Sequence, residues 1–148
     1  MRLIKSKFTA LVLWICCSLA VAADSDVLLN HKWSLVILNN VPLQLEKFPA
    51  QKPYLQFAKD SSFTAYLGCN LLSGSFTTTG AKGLSLIYKS GTPTATPNVA
   101  CTPANQALEN DFIAMLKGVV SWKTEENTLN FLNANNSTLA IFVNVEPY

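Results

Sequence analysis

Val120-Ser121-Trp122-Lys123-Thr124, Thr128-Leu129-Asn130-Phe131-Leu132 and Thr138-Leu139-Ala140-Ile141-Phe142-Val143 follow one another with only two short polar breaks between them. The breaks are Glu125-Glu126-Asn127 and residues 133–136. Leu129 falls in phase with Phe131, and Leu139 with Ile141 and Val143. Short β-prone runs joined by tight polar turns read as strands in series, so the tail of the chain sets a mainly β class.

Toward the amino end comes one helix. Thr102 can cap it, Pro103 suits its first position, and Leu108, Phe112, Met115 and Leu116 fall at helical spacing. Gly118 is placed to end it. Glu109 and Asp111 flank the apolar face and are expected to meet water. Residues 90–100, rich in Thr and Pro, predict an irregular loop. Residues 84–88 read as a buried strand and residues 75–79 as β-prone. Residues 70–73 predict a tight local excursion ended by Gly74. Residues 62–67 alternate through Phe63, Ala65 and Leu67, and residues 54–58 through Leu55 and Phe57, which makes a hairpin about Lys59-Asp60-Ser61. Residues 39–53, with Pro42, Pro49 and Pro53, form a loop. Residues 31–38 open the domain as a strand with Trp33, Leu35 and Ile37 on one face. The order predicts an α+β domain dominated by a small, curled antiparallel sheet that closes or nearly closes. Its one helix covers an end or the open seam.

The first 22 residues have the layout of an export signal. Arg2, Lys5 and Lys7 precede an apolar run over residues 8–19, and Ala20-Val21-Ala22 supplies small residues for cleavage. The run is short for a membrane-spanning helix, which needs about 20 residues. Cys16 follows Trp14-Ile15, too bulky for a lipoprotein cleavage site. Residues 23–148 are then one exported domain with no stable transmembrane segment. The chain carries 11 basic and 9 acidic residues. The three basic residues of the signal leave with it, so eight face nine and the net charge becomes about −1. That excludes a basic surface for nucleic acid.

Of four cysteines, only Cys69 and Cys101 remain after cleavage. Two cysteines in an oxidising compartment favour a disulfide. A metal pair would lack further ligands, and a nucleophilic thiol would need a base in a chain with one histidine.

Gly68-Cys69-Asn70 with Gly74, then Thr96 with Ala100-Cys101 before the helix, form an ordered set opened by Trp33-Ser34-Leu35. This set resembles the META domain and, within it, the HslJ heat-shock family, over nearly the whole mature chain. The chain departs from the family pattern at Leu71 and at Pro97-Asn98, where relatives often carry Arg and Arg-Met. The resemblance implies a small barrel of lipocalin-like topology. It also implies residence in the bacterial envelope, a link to stress or antibiotic tolerance, and no established enzyme activity.

No catalytic, metal or cofactor set emerges from the residues themselves. His31 reads as a polar residue at a strand start, and Glu125-Glu126 as solvated charge in a turn. No phosphate-binding glycine motif or nucleophile elbow is present, which leaves a hydrolase with little support. Asn136-Ser137-Thr138 fits a glycan acceptor. Trp33, Phe57, Phe63, Tyr66, Phe76, Trp122, Phe131 and Phe142 are spread over the strands. A small barrel holds such residues as a packed core or around one apolar ligand. The expected function is that of a monomeric envelope binding module for a small hydrophobic ligand, a lipid or an outer-membrane protein. The alternative is a stress-protective, chaperone-like protein with a filled core.

Overall fold

The three carboxy-terminal strands form where the polar breaks place them, as β8 (Ser121–Glu125), β9 (Thr128–Leu132) and β10 (Thr138–Val145). The computed structural model describes residues 26–29, 31–89, 94–95 and 101–145. Residues 1–22, read above as an export signal, and Thr96 and Ala100 lie outside the described residues.

Ahead of these strands come a helical turn α1 (Asp26–Leu29), β1 (Lys32–Leu38), β2 (Val41–Pro42) and a 3-10 turn (Leu45–Lys47). Then follow β3 (Tyr54–Phe57), β4 (Ser62–Tyr66), β5 (Asn70–Thr79), β6 (Gly83–Tyr88), β7 (Thr94–Ala95) and the helix α2 (Pro103–Leu116). The strands run β10-β9-β8-β6-β5-β4-β3-β1, and β1 pairs back onto β10, so eight antiparallel strands close a barrel. The two-residue strands β2 and β7 are appended to β1 and β5. Asn39 and Asn40 both take positive φ, which gives the β1–β2 hairpin its tight turn.

Three local expectations are corrected. Residues 70–73 do not form a separate excursion: they begin the ten-residue strand β5, with Leu71 and Leu72 opposite Tyr66 and Ala65. Gly74 ends nothing. It sits inside that strand because a Cβ there would collide with the Phe63 ring and the Ile87 carbonyl. On β1 a bulge between Leu35 and Ile37 shifts the phase, so Trp33, Leu35 and Leu38 are buried while Ile37 is not. On β10, Ile141 and Val143 share a face as their phase predicts; with Val145 that face is the outward one, while Ala140 and Phe142 point inward. The helix ends where Gly118 is placed to end it, with Lys117 as C-cap and Gly118 next, though without the left-handed φ of a glycine cap; the Gly118 N–H reaches the Met115 carbonyl at 2.9 Å.

The interior is one contiguous apolar cluster from both ends of the barrel. Phe57, Phe63, Phe112, Trp122, Phe131 and Phe142 are fully buried within it. Phe57 meets Phe76 edge-on at 4.8 Å between centroids, and Phe131 lies 4.9 Å from Phe142. Burying such a ring contributes about 1.5–3 kcal/mol. The α1 turn adds Leu28, whose carbonyl accepts the Trp33 indole N–H at 3.2 Å.

Candidate functional site

Gly68, Cys69, Asn70 and Cys101 meet at one corner, where β4 leads into β5 under the start of α2. Gly68 turns the chain with φ of +96°, and a side chain at this position would strike the Phe48 ring and the Asn105 amide. Cys69, buried at 2% exposure, is joined to the exposed Cys101, 32 residues later, by a disulfide. Cys101 immediately precedes Thr102, whose hydroxyl accepts the Asn105 N–H at 3.1 Å and caps the helix. The disulfide therefore ties the first turn of α2 to the entry of β5.

Two side chains one helical turn apart complete the attachment. Asn105 Nδ2 donates to the Gly68 carbonyl at 2.8 Å. Glu109 accepts the Asn70 backbone N–H through Oε2 and the Asn70 Nδ2–H through Oε1, each at 3.0 Å. Glu109 is thus 6% exposed and does not face water, whereas Asp111 does. The sequence reading missed this. The i, i+4 spacing of Asn105 and Glu109 was the available signal, but their partners lie more than 35 residues earlier. Leu71, where relatives often have Arg, pairs with Thr94 at the same corner. The corner is an attachment with its donors and acceptors matched.

His31 stands edge-on to Trp33, 5.4 Å between centroids. Glu125 pairs with Lys123 at 2.7 Å on an exposed turn, and Glu126 takes positive φ there. Among the described residues no three His, Cys, Asp or Glu side chains gather to hold a metal, and no helix is long and apolar enough to cross a membrane.

A recess lies on the outside of the barrel wall. The chain from β2 to β3 folds back over β10, β1 and β3, and the Pro53 carbonyl accepts the Leu35 N–H at 3.0 Å and the Ser34 hydroxyl at 3.3 Å. Between this strap and the wall is a groove of about 360 Å³, lined by Leu45, Gln51 and Lys52 from the strap side and Lys32, Ser34, Tyr54, Val143 and Val145 from the wall. Lys32 Nζ sits 3.7 Å from the Tyr54 ring centroid, a cation–π contact. Burial first, then the neighbouring Tyr66, raises the Tyr54 phenol above its ordinary range, which keeps its hydroxyl a hydrogen-bond donor.

A family model described as META domain matches residues 26–146. A comparison with curated proteins gives no significant match. Among solved structures, the chain resembles a DUF4847 family protein from Bacteroides vulgatus. The TM-score is 0.58 at 14% identity, covering 84% of this chain and 99% of that one. A protein from Burkholderia xenovorans, solved by NMR, gives 0.57 at 19% identity over 84% and 88% of the two chains. A further NMR structure gives 0.55 at 21% identity over 80% and 92%. These likenesses concern the fold.

Proposed function

We propose that this chain, which belongs to the META domain family, is a non-enzymatic, exported envelope protein that binds a small hydrophobic ligand or an envelope protein through its outer surface. One observation carries the reading. The inward side chains of the barrel pack against one another, while the strap leaves a groove of about 360 Å³ on the outer wall. Ligand sites usually occupy about 300–1,000 Å³, so the groove is of a size to take a small molecule. Export is supported by the signal-like start and by the Cys69–Cys101 disulfide, a bond that persists in oxidising compartments. A role in stress or antibiotic tolerance follows from the family resemblance.

Native mass spectrometry of the chain purified from its host compartment tests the binding reading. A bound small molecule or a co-purifying envelope protein is expected, and repeated recovery of the bare chain counts against it. The mass of that material also reports whether residues 1–22 have been removed.

The filled core favours one second reading, a chaperone-like stress protein without a ligand. Suppression of client aggregation by the purified domain, with no bound species, would select it.

A further inference from the structure

The outward stripe of β10 is unusual for a solvated antiparallel wall, where polar residues are the rule. Ile141, Val143 and Val145 make it apolar, and the strap covers it only in part, with Leu45 beside Val143 and Val145. At the same recess stand two ammonium groups, Lys32 and Lys52, with the Tyr54 hydroxyl, the Ser34 hydroxyl and the Gln51 amide. Among the described residues no carboxylate lines it. The nearest acid on the strap is Glu46, exposed in the 3-10 turn beside Leu45. A local pair of cations over an apolar floor stands out on a mature chain of net charge about −1.

We propose that this groove binds a single-chain amphiphile with a carboxylate head, a fatty-acid-like anion, with the chain along Leu45, Val143 and Val145 and the head between Lys32 and Lys52. The proposal rests on the outer-surface reading and specifies its ligand. Three features select this class. The floor along Leu45, Val143 and Val145 is aliphatic, and Lys32 covers one face of the Tyr54 ring, so the groove favours a flexible alkyl chain over a planar stacked ring. The volume suits one chain. Docking on an anionic bilayer draws on clusters of about four to eight basic residues, and the groove offers two. The Lys32 ammonium, held over the Tyr54 ring, is already oriented, which reduces the ordering cost of ion pairing.

The test uses the disulfide-bonded mature chain and sodium decanoate as the probe. Titration followed by methyl NMR is expected to shift Val143, Val145 and Leu45 first. Lys32→Gln/Lys52→Gln is expected to weaken decanoate about tenfold while leaving uncharged decanol within about twofold. Lys52→Gln alone, on the exposed strap, is expected to show a smaller loss in the same direction and guards against a folding defect at β1. Equal binding of dodecyltrimethylammonium, an unchanged decanoate affinity in the double variant, or shifts mapping elsewhere would each overturn the groove's assignment while leaving outer-surface binding standing. Binding to phosphatidylglycerol vesicles without binding to monomeric decanoate would overturn it in favour of a membrane surface. Finding neither a probe nor any co-purified species would sink both the assignment and the reading beneath it.

Discussion

The two halves of α2 are attached by different chemistries. The amino-terminal half is held by directional bonds: the disulfide, the Asn105 bond to Gly68 and the two Glu109 bonds to Asn70. The carboxy-terminal half lies beside the part of β6 that β8 does not reach. The β6–β8 ladder has one residue pair, Gly83 with Ser121, flanked by bonds from Leu84 to Val120 and from Trp122 to Lys82, each at 3.0 Å. Beyond it, Phe112, Met115 and Leu116 join Leu84 and Leu86 in the apolar core, and outside them Ile113, Leu116 and Lys117 face Leu86, Ile87 and Tyr88 across an open groove of about 470 Å³. Apolar packing beneath that groove stands where a strand pairing would. Directional bonds set where the helix starts and which face it turns inward; the apolar half then adds its buried side chains to the core.

The largest expected effect breaks the apolar half. Phe112 is fully buried in the core cluster, and Phe112→Ala should cost about 3–5 kcal/mol, read as a fall in the denaturation midpoint with an unchanged m-value. A loss under 1 kcal/mol would mean that the helix is held from its other end. Next comes the covalent tie. Cys69→Ala/Cys101→Ala opens a loop with a sequence separation of 32, which on the chain-entropy model costs about 3.7 kcal/mol. Hydrogen exchange should then rise first in the opening turn of α2, around Asn105. Thiol labelling of the protein purified without reductant gives the simpler check: two free sulfurs would remove the tie altogether.

Glu109→Gln separates the polar bonds from the covalent one. The amide keeps one acceptor but presents a second N–H group to Asn70, so one of the two 3.0 Å bonds is lost. The expected cost is about 1–3 kcal/mol, with the disulfide intact. If Glu109→Gln is neutral in the oxidised protein yet costly in the double Cys variant, the two attachments are redundant. Additive losses would show them to be independent.

The barrel was legible because its determinants are local. Alternation along β3, β4 and β9, the turn at Lys59–Ser61 and the Thr102-Pro103 helix start each act over a few residues. The pairing of Cys69 with Cys101 was legible because only two cysteines follow residue 22. What was missed depends on distant neighbours. The bulge at Leu35–Ile37 is imposed by register with β10. The apolar outer stripe of β10 looks like a core face until the strap is placed over it. Glu109 looks like any helix-surface acid until the β4–β5 corner brings Asn70 to it. Even Gly74 is explained only by the Phe63 ring and the Ile87 carbonyl on the adjoining strands.

The smallest expected effect lies away from both halves of the helix, in the β3–β4 hairpin, and sharpens the comparison as a control. Asp60 accepts hydrogen bonds from the Ser62 hydroxyl and, at 3.0 Å, from the Ser62 N–H. These bonds, the hydroxyl's first, hold its carboxyl below the ordinary carboxylate range. A depressed folded-state pKa means that the unfolded chain takes up the proton first as pH falls. The hairpin's contribution is thus complete above the ordinary Asp value and is lost as pH drops through the lower folded one. Because the group is fully exposed, the change should be slight and should shrink in salt. In Asp60→Asn the acid limb of the stability–pH curve should flatten, while exchange at Asn105 and Asn70 stays as in the parent. An acid limb that is unchanged would assign the whole acid response to other carboxylates, and the helix corner would be the first place to look.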